Sequence, residues 1–69
     1  MKKKFFGIVT EIYDDDSYKI SYLQESRCNK PQNTLEQWPG VTAYTDWYEN
    51  EGLAQMAFAM RNDTMKQSA

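Results

Sequence analysis

Apolar and polar residues alternate in the first third of the chain and take a helical spacing in the last third, and the two periods predict a small α+β domain. Residues 4–13 are rich in β-branched and aromatic side chains, residues 18–23 alternate, and Asp14-Asp15-Asp16-Ser17 between them is turn chemistry. The pattern predicts a β-hairpin. Pairing Ile12 with Tyr18, Thr10 with Ile20 and Ile8 with Tyr22 gathers Phe6, Ile8, Ile12, Tyr18, Ile20 and Tyr22 on one face. It also sets Glu11 opposite Lys19 on the other face. That register requires a three-residue loop with Asp16 in the left-handed region, which Asp tolerates better than most residues.

Residues 24–34 carry no apolar period and read as a polar surface loop. Leu35–Trp38 reads as a short strand or a turn of helix stopped by Pro39-Gly40, and Val41–Tyr44 as a third strand. From Asp46 onward the expectation is helical, with Asp46 as N-cap and Glu49 three residues later. Leu53, Met56, Ala57 and Met60 fall at i, i+3, i+4 and i+7, so this stripe is expected on the sheet with Gln55, Ala59 and Asn62 outward. Gly52 either sits within the helix at a cost of about 1 kcal/mol or separates a first turn from a main helix at Leu53–Arg61. The expected fold is a single α+β domain over residues 1–69, a small antiparallel β-hairpin or three-stranded sheet packed on one C-terminal helix, with residues 1–4 and 63–69 frayed.

Composition narrows the chemistry. Sixty-nine residues give a marginal core, no histidine is present, and the single cysteine, Cys28, has no disulfide partner within the chain. Ten aromatic residues must therefore carry the packing. Without histidine, a zinc site of the usual Cys/His type cannot form and Cys28 lacks a base to activate it. No catalytic residue, metal site or cofactor is expected. The glycines, Gly7, Gly40 and Gly52, are not spaced as a phosphate-binding loop. A calcium-loop register starting at Asp14 fails where Lys19 stands in place of the turn glycine, so Asp14, Asp15 and Asp16 read as a solvated turn or as a knob for a basic partner.

Net charge is −2, and residues 31–60 hold Glu36, Asp46, Glu49 and Glu51 with no Lys or Arg. An acidic balance of this kind argues against direct binding of nucleic acid, despite Lys2-Lys3-Lys4 beside Phe5-Phe6. Thr10 and Glu11 end the apolar run after those lysines too early for a signal peptide, and no apolar run approaches the ~18 residues of a membrane span. The unpaired cysteine makes the cytoplasm the expected compartment. The expected partner is a protein with a basic surface, contacted by Asp14, Asp15, Asp16, Asp46, Glu49 and Glu51 with Trp47 or Tyr48 as anchor. A homodimer stays open.

Phe5-Phe6-Gly7-Ile8-Val9 through the acidic turn to Tyr18-Lys19-Ile20-Ser21-Tyr22-Leu23 resembles the first hairpin of Tudor-like, SH3-type small barrels. That resemblance covers nineteen residues and implies, as an alternative function, a ligand-binding module with Phe6, Tyr18 and Tyr22 as its aromatic site. In size and charge the chain is similar to the small acidic inhibitors of bacteriophages and mobile elements, of the anti-CRISPR and anti-restriction type. That likeness implies occupation of a basic site on a nucleic-acid-handling enzyme.

Overall fold

The computed structural model describes residues 1–68. Four antiparallel strands, β1 (Lys3–Tyr13), β2 (Tyr18–Arg27), β3 (Thr34–Trp38) and β4 (Val41–Tyr48), precede one helix, α1 (Glu51–Ser68). The sheet order is β2-β1-β4-β3, so β1 is interior and β2 and β3 are edges. The α+β class is as expected, with four strands in the sheet instead of two or three.

The first hairpin has the expected register, with Ile12 opposite Tyr18, Thr10 opposite Ile20, Ile8 opposite Tyr22 and Glu11 opposite Lys19. Its loop closes through Asp16 N–H donating to the Tyr13 carbonyl and Tyr13 N–H to that of Ser17, and Asp16 takes the left-handed φ of 69°. Both strands then run past the expected ends. β1 starts at Lys3 and β2 continues to Arg27, because Lys3 and Lys4 find partners in Arg27 and Ser26. Only residues 28–33 remain as a connecting loop.

The second hairpin corrects the reading of residues 46–48. Val41–Tyr48 is rich in β-branched and aromatic residues and pairs along β1 from Tyr13↔Val41 to Phe6↔Tyr48, which places Asp46, Trp47 and Tyr48 in a strand. Asn50 caps the helix instead, its side-chain oxygen accepting from Leu53 N–H at 3.0 Å while its carbonyl accepts from Ala54 N–H. The Pro39-Gly40 turn joins β3 to β4, with Gly40 at φ 84°, where a Cβ is disfavoured.

One side of the sheet carries α1; on the other, Phe5 and Trp47 are buried about Gly7, and the end beside the turns is exposed. On the helix side lie Phe6, Ile8, Thr10, Tyr22, Tyr44 and Asp46, and the helix meets them with Ala54, Phe58 and Arg61. Phe58 stacks edge-on against Tyr22 at 5.7 Å. Arg61 donates to Thr10 Oγ1 at 2.8 Å and to Asp46 Oδ2 at 2.9 Å, and lies 4.8 Å over the Tyr44 ring. This overturns the expected stripe: Leu53, Met56 and Met60 are exposed, and the helix is rotated to put a small residue, Ala54, and a polar clamp, Arg61, on the sheet. Asn62, expected outward, is half-buried and donates to the Phe58 carbonyl. Gly52 lies inside α1, which continues beyond the expected end at Arg61 to Ser68; Ala69 lies outside the described residues.

Candidate protein-binding site

Two turns meet at one end of the sheet. Tyr13 closes β1 opposite Val41, and Val41 pairs on its other side with Trp38, so Tyr13, Val41 and Trp38 form a row across three strands on the open face. Asp14 N–H donates to the Gly40 carbonyl at 3.1 Å, fastening the acidic turn to the Pro39-Gly40 turn. Trp38 is 62 % exposed at this junction. One row further in, on the same face, Lys19, Glu11, Ala43 and Glu36 stand side by side.

The result is an aromatic and aliphatic patch bordered by Glu11, Asp14, Asp15, Asp16 and Glu36, with Lys19 as the cation in the same row as Glu11. Asp15 accepts from both the side chain and the backbone N–H of Ser17, which holds its carboxyl below the usual carboxylate range. Tyr13 donates to Glu11 Oε2 at 3.0 Å, and that bond raises the pKa of its hydroxyl. The half-buried Glu11 carboxylate is thus held in place on the face that carries the exposed indole. Such an arrangement suits a lysine or arginine, which gains the π-face and the carboxylates together.

The expected contact residues do not converge. Asp14, Asp15 and Asp16 are exposed at this end, whereas Glu49 and Glu51 are exposed beyond Tyr48, whose partner is Phe6. Seven residues of β1 separate the two groups, about 23 Å of strand. Asp46 is engaged by Arg61 on the helix side. Trp47 is buried, its ring lying over Gly7, and its backbone N–H donates to Asn33 Oδ1 at 2.7 Å. Tyr48 is half-buried.

Of the alternative aromatic site, Phe6 and Tyr22 pack against each other at 6.3 Å, and Tyr22 meets Phe58 of α1. Tyr18 is half-buried near the turn. Trp38, Tyr13, Glu11 and Glu36 were not among the expected contacts. Their signal lies in Pro39-Gly40 read as a hairpin turn, which fixes the parity that puts Trp38 and Glu36 on one side.

The cations collect at the opposite end, where Lys3 pairs with Arg27 and Lys2, Lys4 and Lys30 are near in sequence. That end also holds Glu25, Glu49 and Glu51, so its charge is mixed. No protein-family model, curated protein or solved structure matches the chain. Among the described residues, no group of three or more Cys, Asp or Glu side chains is placed to hold a metal ion, and no helix is long and apolar enough to cross a membrane.

Proposed function

We propose that this chain is a non-enzymatic protein-interaction domain that inhibits or regulates a nucleic-acid-handling enzyme by occupying a basic site, with the double-turn end as its contact surface. The observation that carries this reading is the exposed Trp38, flanked by Val41 and Tyr13 and bordered by five carboxylates. In this mechanism Trp38 inserts as the anchor, while Asp14, Asp15, Asp16, Glu11 and Glu36 take the places of phosphates against Lys and Arg of the partner. Unlike charges steer the encounter, so electrostatics act mainly on the association rate, whereas the indole contact acts on dissociation.

Affinity capture from source lysate, followed by surface plasmon resonance on the captured enzyme across a salt series, tests the reading. Joint replacement of Asp14, Asp15 and Asp16 by Lys is expected to slow association at least about tenfold at low salt, and Trp38→Ala to raise the dissociation rate. Reversal of Glu49 and Glu51, at the far end, is expected to leave both rates nearly unchanged. Nucleic acid is expected to compete with the chain for the enzyme. Rates indifferent to salt, to the triple reversal and to Trp38→Ala would overturn the proposal.

A further inference from the structure

The phase of the β-ladder fixes where the main-chain groups of edge strand β3 point. Trp47 N–H donates to Asn33 Oδ1, on the side of β4 away from β1. Main-chain groups of alternate residues in a strand point to the same side, so Thr45, Ala43 and Val41 also turn theirs toward β3. Their partners Thr34, Glu36 and Trp38 exchange main-chain hydrogen bonds with them. Leu35 and Gln37, opposite Tyr44 and Thr42, therefore turn N–H and C=O outward, where the sheet ends. The same phase holds at β1, where Tyr13 N–H donates toward the first hairpin, to Ser17, and Asp14 N–H toward the second, to Gly40.

An edge with outward main-chain groups is a template for another strand unless something blunts it. β3 contains no Lys, no Pro and no bulge, its register with β4 is unbroken, and all five of its residues are exposed. α1 packs on β1, β2 and β4. We infer that β3 takes up an extended segment of the partner protein as an added antiparallel strand, in which basic residues alternate with apolar ones. The inference rests on the reading of the partner as a protein with a basic surface.

Charge and ladder geometry select this occupant. Bonds from the segment to Leu35 and Gln37 leave Glu36 at a non-hydrogen-bonded position, where facing side chains come closest. A Lys or Arg opposite Glu36 meets its carboxylate, and a second basic residue, two positions along, comes beside the exposed Trp38 ring on the same face. The residue between them in parity falls on the other face, and the one opposite the exposed Leu35 gains by being apolar. β3 and β4 contain no Lys or Arg, and the acidic turn is tied to Gly40 between them. On β2, the other edge, the one carboxylate, Glu25, is already paired with Arg27, and Lys19 is like in charge to the segment. A second copy of β3 is a poorer occupant, because the two-fold register that pairs the whole strand sets the two Glu36 carboxylates against each other.

Amide NMR of the isotope-labelled full chain, titrated with an end-blocked peptide of alternating lysine and valine, tests this. The Leu35 and Gln37 amides are expected to shift most, and their hydrogen exchange to slow at least about tenfold. Methylating the valine nitrogens, which face β3, is expected to weaken binding at least about tenfold, whereas methylating the lysine nitrogens, which face away, leaves it nearly unchanged. Gln37→Pro removes an outward donor and no bond to β4. It is expected to keep the far-ultraviolet circular dichroism of the parent and to weaken peptide binding at least about tenfold. Equal binding of the two methylated peptides, or no binding of the parent peptide, overturns the inference. So does a chain that sediments as a dimer without peptide and as a monomer when it carries Gln37→Pro, because the edge then belongs to a second copy. Failure here is separable from failure of the inhibitor reading. A captured enzyme that responds to Trp38→Ala and to reversal of Asp14, Asp15 and Asp16, but not to Gln37→Pro, overturns the edge pairing alone. Peptide pairing on β3 with no enzyme captured supports the edge and refutes only the inhibition.

Discussion

Gly7 is fixed by what lies on it. A Cβ at that position would stand 3.0 Å from two carbons of the Trp47 ring, closer than carbon atoms pack without a shift. Gly7→Ala is therefore expected to lose about 1–3 kcal/mol in urea unfolding, by displacing the indole from its seat on β1. Tyr22 is the converse case, a side chain with an atom too many. Among the described residues its buried hydroxyl oxygen has no hydrogen-bond partner, and burial, then the charge of Glu51, raises its pKa above the ordinary 10.0. A raised folded-state pKa means that the folded chain holds this proton more tightly than the unfolded chain. The associated stability is complete below about pH 10 and is lost as pH rises through the folded value. Tyr22→Phe is expected to be stabilising by about 1 kcal/mol at neutral pH and to reduce the alkaline loss, read by thermal unfolding across pH. A drop in stability at neutral pH would mean that the hydroxyl is satisfied.

At the scale of elements, the hairpin was legible and the helix orientation was not, for a physical reason. A strand has period two, so one cross-strand pair such as Ile8 with Tyr22 fixes every other side chain of β1 and β2. A helix face is chosen by fit, and here Ala54 allows close approach while Arg61 supplies two hydrogen bonds and a ring contact that no apolar count anticipates. Asp46 and Glu49 mimic a capping box, yet the β-branched and aromatic richness of Val41–Tyr48 extends the strand and leaves the cap to Asn50. Of the candidate site, the acidic turn was legible from its three carboxylates. The contribution of Trp38 depended on the second hairpin, whose strands were read as shorter. Arg61→Ala is expected to cost about 1.5–3 kcal/mol in denaturant unfolding, since it leaves Thr10 Oγ1 buried without its donor and the half-buried Asp46 without its cation. A loss below half a kcal/mol would show that apolar contacts alone hold the helix.

For the whole molecule, stability must be uneven, because cover is uneven. β1 has strands on both sides, α1 above its Phe6–Thr10 segment and the Trp47 ring beneath Gly7, and it contains the most deeply buried side chains, Phe5, Ile8 and Thr10. β3 pairs with β4 alone, and all five of its residues are exposed. Opening β3 breaks one ladder and exposes little new apolar surface, whereas opening β1 dismantles the sheet and releases the helix. Native-state amide exchange in dilute protein should therefore separate the two strands. The Ile8 and Thr10 amides are expected to exchange only through global unfolding. Those of β3 that point toward β4 are expected to exchange by local opening, on the order of a hundredfold faster, or about 2.7 kcal/mol. The neighbouring β4 residues Ala43 and Thr45, tied to β1 as well as β3, are expected to fall between. Equal protection in β1 and β3 would contradict this, since it would require the exposed edge strand to unfold only with the core.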